Sequence, residues 1–282
     1  MQKRNVLNSP RLLKLKKGRR RVILVKILLS VFALLVIFAG LVYISRVPFF
    51  NFKGVEITGN KAVDAENIKI SIEKEIAGNY LKLFPKTNIL FYPKNNIKKE
   101  LFNQFKKLKD INFSIKDNKI LEVSVTEREA KYLWCWENLV VGAPSDEKCS
   151  FVDESGYVFE LAPYFSGNVY FKFFGPLAGD YFFPDIFGKV LAFKDTLIHM
   201  GFKLVSLYIL DNGDIKIFLS NSDKTLIGPY ITLKADSDFQ KVAENLQTAL
   251  STEPLQSNFK NKYSSLEYID LRFGNKVVYK FK

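Results

Sequence analysis

One uncharged stretch near the start of the chain most strongly limits the folds that are open to it. Nineteen consecutive residues between Lys26 and Arg46, ILLSVFALLVIFAGLVYIS, carry no charged side chain. At about 1.5 Å rise per residue, a helix of this length crosses a hydrocarbon core of about 30 Å. A cleaved signal peptide has a shorter apolar part, roughly 7 to 15 residues, and small residues at its cleavage site, which GLVYISRVPFF does not offer. The pattern therefore predicts an uncleaved membrane-spanning helix over residues 22–46.

The excess of basic over acidic residues is concentrated ahead of and at the ends of this helix. The 282 residues carry a net charge of +13, but residues 1–46 hold eleven Lys or Arg and no Asp or Glu. The remainder has 31 basic and 29 acidic residues, a balance that gives no electrostatic footprint for a nucleic-acid partner. By the positive-inside rule, the basic tail of residues 1–21 is expected in the cytoplasm and everything beyond residue 46 outside.

Residues 47–130 have the pattern of a compact α+β domain with the order strand, helix, helix, strand, strand. The first strand ends at the turn around Gly59, and Asp64 is expected to cap the helix that follows. A second helix is predicted to begin near Pro93 and to continue through Leu108. In the closing hairpin, a three-residue loop over residues 117–119 keeps the apolar side chains of both arms on one face. That loop pairs Ile115 with Leu121 and Phe113 with Val123.

Residues 131–282 have the pattern of a second α+β domain, rich in strands and with two amphipathic helices. One hairpin is expected around Ser155 and Gly156, and a second around a three-residue loop at residues 211–213. The segment 169–187 holds eight Phe or Tyr, a density more typical of core or domain-junction packing than of a ligand site. The second hairpin pairs Ile209 with Ile215 and Leu207 with Ile217.

The two cysteines of the chain, Cys135 and Cys149, lie in the predicted exported part. Their spacing excludes a lone CxxC-type metal site. A disulfide between them would close a surface loop and would stabilise the domain by about 3 kcal/mol in the chain-entropy model. Two free thiols are the alternative, because many exported proteins form few disulfides.

Groups suited to catalysis are scarce in this sequence. His199 is the only histidine, and Cys149 lacks the surroundings of the catalytic cysteine in sortase-type transpeptidases. Phosphate-binding glycine motifs and the HExxH zinc motif are absent. The charged run of residues 127–129, Glu-Arg-Glu, has the character of a solvated rim. We therefore expect a non-enzymatic interaction protein with no catalytic residue, no metal ligand and no cofactor.

The order of these features resembles one bacterial family. A basic tail, one span, VEITGN followed by two helices, and a hairpin closing on VSVTEREA are similar to the POTRA module of the cell-division family FtsQ, called DivIB in Gram-positive lineages. FVDESGYVF, LDNGDIKIFLSNSDKTLIG and YIDLRFGNKVVYKF are similar, in the same order, to the β domain of that family. The resemblance implies a transmembrane helix, a POTRA domain (β-α-α-β-β) over residues 47–130 and a β domain over residues 131–282.

The resemblance also implies a function and partners. FtsQ-like proteins are non-enzymatic scaffolds at the division septum of the inner (plasma) membrane. Their exported β domain binds FtsB-like and FtsL-like single-span proteins and, through them, FtsW-like and FtsI-like peptidoglycan synthases. POTRA units also act by strand addition in protein-export and outer-membrane assembly factors, which is the alternative. Chains of that second class carry cleaved signals and a long barrel.

The last fifteen residues, YIDLRFGNKVVYKFK, alternate between apolar and polar side chains up to the end of the sequence. A three-residue loop at 274–276 would pair Phe273 with Val277, Leu271 with Tyr279 and Ile269 with Phe281, and would leave residues 277–282 as an uncovered edge strand. Lys280 and Lys282 are then either guards against edge pairing or neighbours of a docking site. The resemblance implies the docking site, because the FtsQ family receives its FtsB-like partner on this strand. The predicted partner-binding residues are Phe273, Val277, Val278, Tyr279, Lys280 and Phe281.

Overall fold

The protein is mixed α+β, with one apolar helix near its N-terminus and a strand-rich C-terminal part. It divides into two compact units, Met1–Glu127 and Arg128–Lys282. Asn118, in the middle of the predicted loop 117–119, lies outside the described residues, as do residues 1–9 of the basic tail. The computed structural model describes residues 10–117, 119–136, 148–167, 169–220 and 229–282.

The first helix, α1, runs over Pro10–Ser45 and contains most of the predicted span. Proline suits the first turn of a helix because its missing N–H would have no partner there. The helical part of the basic tail therefore begins well before residue 22. Apart from the half-buried Val42, the large apolar side chains from Val22 to Ile44 are exposed. Its segment Lys17–Ser45 is long and apolar enough to cross a membrane.

The rest of the first unit forms a three-stranded sheet with two helices. Strand β1 pairs in parallel with β5, which lies in the centre, and β4 pairs antiparallel with β5 on its other side. A short hairpin, β2 and β3, stands between the two helices and was not predicted. The elements are β1 (Gly54–Thr58), α2 (Ala65–Ile76), β2 (Asn79–Tyr80), β3 (Phe84–Pro85), α3 (Lys94–Gln104), β4 (Leu108–Lys116) and β5 (Ile120–Glu127).

The predicted cap of α2 and the predicted hairpin register are confirmed, but the predicted end of the second helix is wrong. Asp64 caps α2, and its side chain accepts a hydrogen bond from the backbone N–H of Glu66. The hairpin pairs Ile115 with Leu121 and Phe113 with Val123, as the parity of the apolar residues requires. Leu108, however, is the first residue of β4 and not part of α3, which ends at Gln104. One apolar residue at helical spacing cannot distinguish a last helical turn from the start of a buried strand.

The second unit contains a nine-stranded sheet with the order β16-β15-β14-β13-β12-β9-β6-β7-β8. The predicted pairs of Ile209 with Ile215 and of Leu207 with Ile217 are confirmed in the hairpin of β12 and β13. The strands are β6 (Tyr132–Cys135), β7 (Cys149–Val152), β8 (Val158–Leu161), β9 (Lys172–Phe174), β10 (Leu177–Ala178), β11 (Tyr181–Phe182), β12 (Leu204–Ile209), β13 (Asp214–Leu219), β14 (Tyr230–Lys234), β15 (Leu266–Phe273) and β16 (Lys276–Phe281). The helices are α4 (Phe187–His199), α5 (Phe239–Leu250) and α6 (Leu255–Lys262).

One face of this sheet shares a core with α4 and α5. The aromatic segment 169–187 supplies Phe173, Phe182 and Phe187 to that core, which confirms its predicted packing role. A row of buried side chains crosses five strands in register. It consists of Phe173, Leu207, Ile217, Ile231 and Ile269, and its next member on the edge strand is Tyr279.

The two cysteines stand directly opposite each other on neighbouring strands. Cys135 of β6 pairs with Cys149 of β7, and their sulfur atoms form a disulfide. The bond therefore joins two paired strands at the base of the intervening segment, residues 137–147, which lies outside the described part of the chain.

The charged run of residues 127–129 is not the solvated rim that the sequence indicated. The carboxylate of Glu127 accepts hydrogen bonds from three consecutive backbone N–H groups, those of residues 61–63. Burial alone would raise the pKa of Glu127, but these donors outweigh it and lower the pKa. Arg128 is largely buried, pairs with Asp153 and stacks on the ring of Tyr157. Only Glu129 has the expected exposed position.

Candidate partner-binding edge

The hairpin of β15 and β16 has a different register from the predicted one. A two-residue turn, Gly274 and Asn275, pairs Phe273 with Lys276. Gly274 has φ +64°, which suits the first central position of a type II′ turn. The predicted pairs of Phe273 with Val277, Leu271 with Tyr279 and Ile269 with Phe281 are therefore wrong. The observed pairs are Asp270 with Val278, Ile269 with Tyr279, Tyr268 with Lys280 and Leu266 with Phe281.

A β-bulge explains this difference. The register shifts between Asp270 and Phe273, where β15 advances by three residues while β16 advances by two. The extra residue of the bulge has the same effect as the third loop residue of the prediction: it returns the apolar side chains of the two strands to one face. As predicted, Val277, Tyr279 and Phe281 share one face and pack half-buried against the core. Phe273 does not join them, because it follows the bulge and is 56% exposed.

Strand β16 is the terminal strand of the sheet in the part of the chain that the structure describes. The backbone N–H of Lys282 donates to the carbonyl of Ser265, on the side of β15. Because successive N–H groups of a strand point to opposite sides, those of Val278 and Lys280 also face β15. The N–H groups that face the open edge are those of Val277, Tyr279 and Phe281.

The side chains of β16 also alternate, between the core face of the sheet and the opposite, exposed face. Val278 and Lys280 are exposed on the face opposite to the core. The ammonium group of Lys280 lies 2.8 Å from Glu267 of β15. Its hydrogen bond to that carboxylate raises the pKa of Lys280. Tyr279 and Phe281 form an edge-to-face pair with ring centroids 5.9 Å apart, and α5 lies beside them.

A charged cluster next to this hairpin was missed by sequence reasoning. Arg272 donates to both oxygens of Asp270 and, at 2.8 Å, to Asp214 of β13. Both carboxylates are buried. Burial would raise the pKa of Asp270, but its hydrogen bonds with Arg272 outweigh that effect and lower it. The spacing of Asp270 and Arg272 in YIDLRF was a local signal for their pairing, whereas the contact with Asp214 depends on the sheet order.

A row of aromatic rings on the face of Lys280 was also missed. The centroids of neighbouring rings are 4.1 to 6.0 Å apart. On each strand the aromatic residue is next in sequence to a member of the buried row, so its ring lies on the opposite face of the sheet. Cross-strand aromatic pairs of this kind stabilise a sheet by roughly 0.2–1 kcal/mol each. No single strand has an aromatic pattern that would have revealed the row. Its members, from the interior to the edge, are Phe174, Tyr208, Phe218, Tyr230 and Tyr268.

The candidate catalytic residues are not brought together as a reactive pair. Cys149 is bonded to Cys135, so its sulfur is not a free thiolate. His199 lies on α4, where its Nδ1 atom is 2.7 Å from the carbonyl of Asp195 in the same helix. Among the described residues, no group of three or more His, Cys, Asp or Glu side chains could hold a metal ion.

Comparison with protein-family models gives no match for this chain. Comparison with curated proteins gives no significant match either.

Proposed function

We propose that this protein is a membrane-anchored scaffold of the FtsQ type, which binds a partner strand on β16. The observation that carries the proposal is the open edge of β16, where three N–H groups alternate with exposed side chains. A partner strand would gain main-chain hydrogen bonds there, and Tyr279 and Phe281 would supply aromatic anchors. In this proposal the partners are FtsB-like and FtsL-like proteins, which connect the chain to peptidoglycan synthases at the septum.

The anchor and the first unit fit the same proposal. The basic residues ahead of α1 favour a cytoplasmic N-terminus and exported domains. The two helices and three-stranded sheet after the span support a POTRA-type domain for residues 47–130, although a short extra hairpin separates the helices. A scaffold needs binding surfaces and no reactive groups, so the proposed role is non-enzymatic.

The test measures the affinity of the full-length chain, in detergent micelles, for the FtsB-like protein of its native host. It begins with a proline substitution on the open edge. Val277→Pro removes an N–H that faces the open edge, and proline is tolerated on edge strands. Val277→Ala, which keeps the N–H, is the matched control. We expect Val277→Pro to weaken partner binding about tenfold, or about 1.4 kcal/mol. Val277→Ala should change binding less.

Two further variants complete this test. Val278→Pro removes a donor to β15, so we expect it to open the hairpin and to raise hydrogen exchange along β15. Phe281→Ala should weaken binding about tenfold or more through the loss of an anchor. Unchanged partner affinity in folded Val277→Pro and Phe281→Ala proteins would show that β16 is not the docking site.

A further inference from the structure

An apolar groove lies beside the last turns of α1. Its volume is about 430 Å³, and almost all of its lining is carbon. Leu41 and Ile44 of α1 form one wall, and Phe84, Leu90 and Phe91 form the other. One wall of the groove therefore belongs to the helix that is apolar enough to cross a membrane.

Specific hydrogen bonds fix the end of α1 to this wall. Arg46 donates to the carbonyls of Leu83 and Lys82, at 3.1 and 3.2 Å. The side-chain amides of Asn51 and the buried Asn88 both donate to the carbonyl of Ser45, at 2.9 and 3.0 Å. A helix terminus leaves its last carbonyls without helical partners, and these amides satisfy one of them. The helix and the hairpin of β2 and β3 thus form one connected structure.

The hairpin extends back along the helix towards the membrane. The ring of Phe84 packs edge-to-face against Phe38 of α1, with centroids 5.9 Å apart. Phe38 precedes Ser45 by seven residues, which corresponds to about 10 Å of helix. Strand β3 thus contacts α1 about two helical turns before the helix ends, while Arg46 holds the carbonyls of the turn that joins β2 and β3.

The exposed side chains of this region have the composition of a membrane-inserted surface. Leu81 is 86% exposed and Leu90 is 71% exposed, and Phe49 and Phe91 are also exposed. Leu81 and Lys82 both have positive φ angles, 49° and 63°, which are unusual for residues other than glycine. The turn thus combines an unfavourable backbone conformation with an exposed apolar side chain, that of Leu81. Residues 78–99 contain five lysines and no acidic residue, which suits an anionic lipid surface.

We propose that the hairpin tip around Leu81 and the turn at Leu90 and Phe91 insert into the outer half of the bilayer, and that a lipid acyl chain fills the groove. Arg46, Lys82 and Lys86 then lie where they can reach lipid phosphates, since long basic side chains extend towards the interface. This inference rests on the proposed membrane anchor. Its consequence is a second, non-helical contact with the membrane that fixes the first unit against the lipid surface.

The test measures the depth of spin labels in the full-length chain, reconstituted without partners into nanodiscs of phosphatidylglycerol and phosphatidylethanolamine. Nitroxides are attached singly at Leu81→Cys and Leu90→Cys, and the native cysteines remain bonded to each other. Phe32→Cys, in the middle of α1, reports whether the helix is in lipid. Ile70→Cys, an exposed apolar position on α2, is the water-facing control. Collision with oxygen indicates lipid, and collision with a water-soluble nickel chelate indicates solvent.

We expect the labels at Leu81 and Leu90 to behave like the label at Phe32, and the label at Ile70 to collide with nickel. If the labels at Leu81 and Leu90 match the label at Ile70 while the label at Phe32 is in lipid, insertion of the hairpin tip and of the turn is refuted and the membrane anchor stands. If the label at Phe32 is also accessible to nickel, the membrane anchor is refuted, and the proposed insertion with it. If Leu81 and Leu90 leave water only after a partner protein is added, the groove binds a partner and not lipid, which also overturns the inference.

Discussion

The close approach of Gly59 to the central strand β5 gives a sharp test of the first unit. Gly59 has φ +82°, and a Cβ atom at this position would lie 2.3 Å from the carbonyl oxygen of Val125. Gly78, after α2, has nearly the same φ angle, +80°, but a Cβ atom there would meet nothing within 4 Å. Alanine at either position would carry the same backbone strain. Only alanine at position 59 would also clash with the sheet.

The expected magnitudes follow from these two terms. The left-handed conformation costs an L-residue about 1–2 kcal/mol, and this cost applies to both variants. The clash at Gly59 involves a backbone carbonyl of a strand that is paired on both sides, so no side chain can rotate to relieve it. Overpacking of this kind adds about 1–3 kcal/mol. We therefore expect a loss of about 2–5 kcal/mol for Gly59→Ala and about 1–2 kcal/mol for Gly78→Ala.

The assay is hydrogen exchange of the β5 amides, measured by mass spectrometry on the full-length chain in detergent micelles. Exchange that requires opening of the sheet reports its local unfolding free energy. Gly59→Ala should lower the protection of Val123 and Val125 by at least about fivefold more than Gly78→Ala does, which corresponds to the lower bound of about 1 kcal/mol for the clash. Equal protection in the two variants would refute the close packing of the turn after β1 on β5.

Two other predictions concern charged groups. The lowered pKa of Glu127 means that its contribution to stability is present above its ordinary value of 4.5 and is lost as the pH falls through the lower folded value. Glu127→Gln should therefore be less stable than the wild type at neutral pH, by about 1–2 kcal/mol, and should melt at a lower temperature. The two melting temperatures should converge in acid. A difference that does not depend on pH would contradict the role of the charge. Arg272→Met should destabilise β15 by about 2–3 kcal/mol, because two buried carboxylates lose their counter-ion, and Arg272→Lys should cost less. Hydrogen exchange of the β15 amides measures this effect, and undiminished protection in Arg272→Met would contradict it.

Local periodicity was sufficient to predict much of this fold. The two hairpins whose registers are confirmed have apolar residues at every second position on both arms, so in the absence of a bulge only an odd loop places all of them on one face. The helix α2 was equally well defined, because Ile68, Ile72 and Ile76 recur at helical spacing behind a capping aspartate and are all buried. In each case the deciding interactions lie within one hairpin or one helix.

The features that the sequence did not reveal depend on contacts between distant segments. Arg272 can reach Asp214 because the sheet order places β13 and β15 on the two sides of β14, and no local pattern specifies that order. Glu127 looked like a surface charge, but it binds a turn that lies more than sixty residues earlier in the chain. The short hairpin of β2 and β3 has too few residues to show any periodicity.

The terminal hairpin shows why parity alone cannot define a binding edge. Parity constrains the sum of loop residues and bulge residues, so a three-residue loop and a two-residue turn with one bulge place Val277, Tyr279 and Phe281 on the same face and differ only at Phe273, which follows the bulge. The two solutions pair β16 with different residues of β15. In the observed register Tyr279 stands beside Ile269, at the end of the buried row that begins at Phe173. Because the N–H of Tyr279 faces the open edge, an added strand would place one of its own residues opposite Tyr279, in line with that row. The proposed partner strand therefore needs apolar side chains at alternate positions on the α5 side, where they would continue the core of this domain into the complex.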